Sequence, residues 1–111
     1  MVCEQDMTFN LVNPTNLEDM IWRYNPLIMD IRPREEYEKG HWPEALCFPN
    51  DEIDRWKNKI PRKRILLIYC EHGGSSMVLA RALGREGYRT YTVVGGYEAM
   101  KKVQKNYSQN Y

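Results

Sequence analysis

Ile65-Leu66-Leu67-Ile68-Tyr69-Cys70-Glu71-His72-Gly73-Gly74-Ser75-Ser76 is the stretch around which the chain is arranged. It opens as an apolar run with the length and bounds of a buried strand. A cysteine follows, then a short loop with two adjacent glycines, and a helical pattern begins at Ser76. A thiol at the carboxyl end of a strand, facing a helix N-terminus across a glycine loop, is well placed for sulfur chemistry. The helix offers its positive end and its first amides, which have no intrahelical partner. Gly73 and Gly74 let successive N–H groups curl into an anion-holding nest. Ser75 and Ser76 add hydroxyl donors. Glu71 opposes a thiolate by its charge, less so if it points into solvent, and His72 can offset it as a proton partner. Cys70 could instead be a small buried residue that simply closes the strand. The Gly-Gly-Ser-Ser continuation favours the reactive role.

The chain has 111 residues and three cysteines, Cys3, Cys47 and Cys70. That length suits a single domain over residues 1–111 with a real core, ending in a polar, frayed tail at 106–111. Acidic and basic residues nearly cancel, with a net charge of +1, so the composition gives no basis for a nucleic-acid partner. No apolar run reaches transmembrane length. The first residues are acidic where a signal peptide would be basic, so a soluble, cytoplasmic protein is expected. An odd cysteine count without a CxxC pair argues against a disulfide scaffold and against a zinc site.

The other elements follow from punctuation and periodicity. Met7–Val12 reads as a short strand. Thr15 and Glu18 form a capping box ahead of Leu17, Met20, Ile21 and Tyr24 at helical spacing. Asn25-Pro26 ends that helix. Leu27–Ile31 is a second buried strand with Asp30 near its carboxyl end. Arg32–Lys39 is a short charged helix opened by Pro33 and closed by Gly40. Ala45–Phe48 is a short strand. A helix capped by Asn50 or Asp51 carries Ile53, Trp56 and Ile60 on one face. Val78, Leu79, Ala80, Ala82 and Leu83 form the apolar face of the central helix, which Gly87 closes. Tyr88–Val94 is the last strand, and Gly95-Gly96 turns into a final helix with Ala99, Met100 and Val103 inward. Strands alternating with helices predict an α/β fold with a mainly parallel sheet covered on both faces. Ligands bind beyond the carboxyl ends of such strands, which would place Asp30 and Cys70 at one crevice.

Four blocks, in order, resemble the rhodanese (sulfurtransferase) family. Asp30-Ile31-Arg32 is similar to its Asp-x-Arg signature. Glu36-Tyr37 with Gly40-His41-Trp42-Pro43-Glu44-Ala45 is similar to its Glu-Tyr/Phe…Gly-His-Ile-Pro-Gly-Ala block. Tyr69-Cys70 with Gly73 and Ser76 matches its active-site loop, backed by the helix at Leu79–Leu83. Gly95-Gly96-Tyr97-Glu98-Ala99-Met100 is similar to its Gly-Gly-x-x-Ala-Trp ending. The resemblance implies a rhodanese-like fold with five parallel strands flanked by helices. It implies that Cys70 takes sulfur from thiosulfate, a polysulfide or a persulfide and passes it to cyanide or a thiol, with no metal or organic cofactor. The backbone of Glu71, His72, Gly73, Gly74, Ser75 and Ser76 would cradle the persulfide. A protein sulfur-relay partner is a further option.

Two departures bear on that activity. Many relatives carry a basic residue after the cysteine and an arginine before the loop's final serine or threonine; Glu71 and Ser75 stand there in this chain. A persulfide or polysulfide is therefore the expected donor rather than dianionic thiosulfate. The rival from another class is a catalytically weak binding or sensing module. Cdc25-like phosphatases and arsenate reductases share the fold but need an arginine at the position of Ser76, and without its fork a phosphoryl transition state loses its clamp.

Among the remaining residues, Asp30 and Arg32 are expected to brace the crevice rim, Glu36 to anchor a turn, and His41 to bond backbone. Cys47 is expected in the core and Cys3 to be incidental. The basic run from Arg55 to Arg64 reads as a solvated face, with a dock for an acidic partner as the alternative. Trp22, Trp42 and Trp56 are expected to pack, with Trp42 near the mouth of the site.

Overall fold

The computed structural model describes residues 9–108, with side chains from 9 to 104. Met7, Thr8, Cys3 and the last three positions of the tail lie outside the described residues. Five strands form one sheet: β1 (Phe9–Val12), β2 (Leu27–Asp30), β3 (Leu46–Cys47), β4 (Leu66–Tyr69) and β5 (Thr90–Val93), in the order β1-β5-β4-β2-β3. Every pairing between them is parallel. The helices are α1 (Leu17–Tyr24), α2 (Arg34–Lys39), α3 (Ile53–Trp56), α4 (Gly74–Arg85) and α5 (Gly96–Ser108). No helix among the described residues is long and apolar enough to cross a membrane.

All four residues of β2 and of β4 are buried, the signature of strands covered on both faces. Alternation divides their side chains between two cores. Leu27, Met29, Leu66 and Ile68 face Trp56 of α3 and Leu79, Ala80 and Leu83 of α4. Ile28, Leu67 and Tyr69 face Leu17 and Met20 of α1 and Tyr97 and Met100 of α5. Cys70, one step beyond β4, continues the first series, so its side chain faces α4.

Several boundaries differ from those predicted, each for a local reason. Thr15 and Glu18 form no capping box. The Asn13 side chain accepts from the Thr15 amide and hydroxyl, and a 3-10 turn, Pro14–Asn16, precedes α1. Helix α2 starts at Arg34 rather than Arg32, whose amide is held by Asp30 Oδ1 at 3.0 Å. Strand β3 is shorter than Ala45–Phe48, because the Ala45 amide closes a turn onto Trp42. The helix expected after Asn50 is a single α turn between two 3-10 turns, and neither Asn50 nor Asp51 caps it with a side chain. Val78 and Ala82 point outward, leaving Leu79, Ala80 and Leu83 as the inward stripe of α4. Gly87, at φ +100°, does close α4, and the Tyr88 amide then bonds the Leu83 carbonyl, so β5 begins only at Thr90. Helix α5 continues through Ser108, beyond the start of the expected frayed tail. Trp42 and Trp56 pack inside, but Trp22 is 85% exposed.

Glu44 adopts φ 70°, in the left-handed region. An L residue there costs about 1–2 kcal/mol, against about 0.5–1 kcal/mol for the greater unfolded freedom of glycine. Glu44→Gly is expected to raise stability by about 0.5–1 kcal/mol, read as a higher urea midpoint at unchanged slope.

Candidate active site

The sulfur of Cys70 meets the amino end of α4. The amides of Gly73 and Ser76 donate to Sγ at 3.2 and 3.3 Å. Ser76 Oγ lies 3.4 Å from Sγ. Helix α4 starts at Gly74, two residues earlier than the sequence pattern predicts, so Gly74, Ser75 and Ser76 form its first turn. Gly73 stands at the N-cap and has no side chain to accept from the third helical amide. Cys70 Sγ occupies that role from outside the helix.

Only part of the expected cradle touches the sulfur. Gly73 adopts φ +107°, where a side chain would be strained, and a Cβ would sit 3.3 Å from the Gly95 nitrogen. Gly74 has helical backbone, and a Cβ there would meet nothing within 4 Å, so its role as a second nest glycine is not what the backbone requires. Ser75 is exposed on the crevice wall, and its hydroxyl makes no bond to Sγ. His72 is exposed at the same wall. Ser76 is fully buried; its hydroxyl donates to the Gly73 carbonyl at 3.2 Å and accepts from Thr92 Oγ1 at 2.8 Å.

The loop is also held from behind. The Tyr97 amide donates to the Cys70 carbonyl at 2.8 Å and the Glu98 amide to the Glu71 carbonyl at 3.1 Å. Two free amides of α5 thus satisfy the two loop carbonyls that point away from the crevice. This approach needs Gly96, at φ +63°, where a Cβ would lie 2.6 Å from the Cys70 oxygen. The Gly95-Gly96 pair reads from sequence only as a turn; its adjacency to the loop was not predicted, although two adjacent glycines opening a helix were the available signal.

Asp30 and Arg32 brace this frame. Arg32 Nε and Nη2 hold the Asp30 carboxylate at 2.7–3.2 Å, and Nη2 also donates to the Gly40 carbonyl at 2.7 Å. Nη1 reaches Glu71 Oε1 at 3.3 Å, and the guanidinium lies 4.1 Å from the Tyr97 ring centroid. Burial works against the charge of Arg32, but the hydrogen bond and charge of Asp30 and the hydrogen bond to Glu71 hold it protonated above the ordinary arginine value. Burial, then the hydrogen bond and charge of Asp30, push the Tyr69 phenol above its usual range, and its oxygen accepts from the Trp42 amide. Asp30 therefore lies beneath the crevice rather than in it, while Arg32 lines it. Glu71 meets Arg32, whose charge it shares with Asp30, rather than standing free beside the sulfur.

The crevice has a volume of about 570 Å³ and is lined by Ile31, Arg32, Pro33, Asn50, Asp51 and, from the loop and helix start, Cys70, Glu71, His72, Gly74 and Ser75. Its charged side chains are Asp51, Glu71 and the already paired Arg32. Trp42 lines a different groove, beside Trp22. Tyr37, whose hydroxyl donates to the Ala45 carbonyl at 2.6 Å, anchors the turn expected of Glu36, which instead meets Lys39. His41 Nδ1 bonds the Tyr37 carbonyl, as expected. Cys47 is half-buried on β3, and burial pushes its thiol up, with Arg34 working against. Within the basic run, Lys57 and Arg62 bind Glu86, and Arg64 bonds the carbonyls of Asn25 and Pro26.

This combination, a five-stranded parallel sheet with a cysteine cradled at the carboxyl end of a central strand, defines a class of protein, and the comparisons identify it. A family model described as the rhodanese-like domain matches residues 13–103. A thiosulfate sulfurtransferase GlpE of Coxiella burnetii is 26% identical over 96 residues, covering 86% of this chain and 90% of that protein. The structure of reduced Bacillus anthracis CoADR-RHD superposes with a TM-score of 0.79 at 25% identity, over 91% of this chain and 18% of that one. A rhodanese homolog of the extreme thermophile Thermus thermophilus is 32% identical with a TM-score of 0.67, over 81% of this chain and 99% of that one. The chain belongs to the rhodanese-like domain family.

Gly73 and Gly96, where a Cβ would approach neighbouring backbone, differ sharply from Gly74. Gly96→Ala is expected to cost about 1–3 kcal/mol, because α5 must back away from the loop carbonyls. Gly74→Ala is expected to leave stability unchanged or raised. Urea denaturation of the two variants checks both.

Proposed function

We propose that the protein is a sulfurtransferase in which Cys70 is the nucleophile and carries the transferred sulfur as a persulfide. The Cys70 thiolate attacks the outer sulfur of a donor, RS–SH, forming Cys70 S–SH and releasing RS⁻. An acceptor thiolate then attacks that outer sulfur, giving a new persulfide and restoring the Cys70 thiolate. Cyanide as acceptor leaves as thiocyanate. Sulfane sulfur moves between nucleophiles, so no external oxidant or reductant enters. The observation that carries this reading is the sulfur of Cys70 under two amides and a buried hydroxyl, at the floor of an open crevice. Donors aimed at a sulfur stabilise its negative form without a counterion.

The same crevice supports a persulfide or polysulfide donor over thiosulfate. Arg32 is its one cation among the lining residues, and Asp30, Glu71 and the Gly40 carbonyl already engage it. Asp51 adds negative charge at the wall. A dianion entering there gains little from the side chains and meets repulsion. The donor is therefore a small persulfide or polysulfide reacting as a monoanion, or a persulfide presented by a relay protein, and the acceptor a thiol.

Intact mass under non-reducing conditions tests the chemistry. After incubation with polysulfide, one added sulfur atom is expected, absent in Cys70→Ser and lost on adding cyanide or a thiol. No adduct from any donor would replace this reading with that of a binding or sensing module. Turnover on glutathione persulfide is expected to exceed that on thiosulfate by about tenfold or more, the factor carried by ~1.4 kcal/mol. Equal turnover on both would refute the donor assignment.

A further inference from the structure

Strand β5 sends two threonines, Thr90 and Thr92, into the interface with α4, and both are fully buried. Positions i and i+2 of a strand are spaced by ~6.6 Å, close to the ~6 Å between i and i+4 of a helix. The two hydroxyls accordingly meet α4 one turn apart. Thr90 Oγ1 donates to the Ala80 carbonyl at 2.9 Å. Thr92 Oγ1 donates to Ser76 Oγ at 2.8 Å. The first bond ties strand to helix backbone. The second ends on a side chain that itself touches the Cys70 sulfur.

We propose that Thr92 is a positioning residue for Cys70: by donating to Ser76 Oγ, its hydroxyl leaves the single proton of Ser76 free to turn to the sulfur when Cys70 is an anion. The inference follows from counting protons. A serine hydroxyl has one proton and two lone pairs. Thr92 occupies one lone pair. With Cys70 as a thiol, S–H takes the other, and the Ser76 proton goes to the Gly73 carbonyl. With Cys70 as an anion, the sulfur no longer donates, and the Ser76 proton turns from Gly73 to the sulfur. The Gly73 carbonyl is not orphaned, because it also accepts from the Met77 amide at 3.2 Å. Ser76 cannot instead donate to Thr92 without displacing the Thr92 proton into a fully buried region, where an unmade hydrogen bond is costly. Donation from Thr92 also polarises the Ser76 hydroxyl and strengthens it as a donor. Thr92 is sixteen residues from Ser76 in sequence, and no motif marks it.

The test reads the reactivity of Cys70 itself, so it stands apart from whether any sulfur donor charges the enzyme. The rate of iodoacetamide modification is measured against pH, with the Cys70 peptide quantified by mass spectrometry so that Cys3 and Cys47 do not contribute. Thr92→Val keeps the shape and removes the hydroxyl. Its profile is expected to move to higher pH, with a rate near neutrality lower by about three- to tenfold, the factor of a half to one unit on the pH axis. Thr92→Ser is expected to restore the profile. Thr90→Val removes the neighbouring bond and is expected to lower stability but leave the profile in place. In a Ser76→Ala background, Thr92→Val is expected to add no further shift. Should Thr92→Val fail to fold, Thr92→Cys, of similar volume and weaker donor strength, is read in the same way. A Thr92→Val profile superimposed on the wild type, or an equal shift in Thr90→Val, overturns the proposal. Failure of the wild type to acquire sulfur from any donor would overturn the sulfurtransferase reading and leave this outcome to be decided by the alkylation profile alone.

Discussion

Alternation along β4 is the constraint on which the site depends. Leu66 and Ile68 face α4, and Cys70 continues that series one residue beyond the strand. Its sulfur therefore points at the amino end of the helix that follows. A chain that leaves a strand and opens a helix after only four residues must reverse sharply, and Gly73 at φ +107° makes that reversal. The reversal turns the Gly73 and Ser76 amides toward the sulfur and the Cys70 and Glu71 carbonyls away from it. Those carbonyls are then left for α5 to satisfy, which in turn requires glycine at position 96. One register choice in a strand thus fixes a helix start, a backbone conformation and the seating of the last helix.

Arg32 unites the charged groups around this frame. It joins the end of β2, the turn at Gly40, the loop at Glu71 and the face of Tyr97. Removing one partner of a buried pair typically costs ~3–5 kcal/mol, because the other charge is left uncompensated. Asp30 and Arg32 are therefore structural with respect to the sulfur. Their consequence for chemistry is indirect, in that the crevice's cation is engaged before any ligand arrives.

The fold was legible because β2 and β4 are uninterrupted apolar runs with clear punctuation, and because four blocks fall in family order. The placement of Cys70 just beyond β4 and of Ser76 in the helix that follows was legible as well, since a cysteine before Gly-Gly-Ser-Ser carries a local signal. What escaped was everything that depends on a contact between distant segments. Thr92 looks like an ordinary strand residue until β5 is laid beside α4. Glu71 looks like an unfavourable charge until Arg32, thirty-nine positions earlier, is found on it. The helix start was misplaced by two residues because serines and glycines carry no apolar periodicity; only the backbone bond from Met77 to Gly73 reveals it.

For the proposed transfer, the division of labour between backbone and side chain decides selectivity. Amides at fixed positions hold a single negative sulfur whatever residue supplies them. Changes at positions 71 and 75 therefore alter the field at the mouth without dismantling the cradle. A monoanionic persulfide needs little more than the cradle. A dianion brings a second charge beyond the one on Sγ, and the charged side chains at the wall are Asp51, Glu71 and a guanidinium already engaged. Restoring a cation at position 71 would also remove the carboxylate that Arg32 Nη1 now meets. It would thus change the field twice, removing one negative charge and adding one positive, while Arg32 stays on Asp30. Under the proposed transfer, a substitution at Glu71 would therefore act on donor preference both directly and through its contact with Arg32.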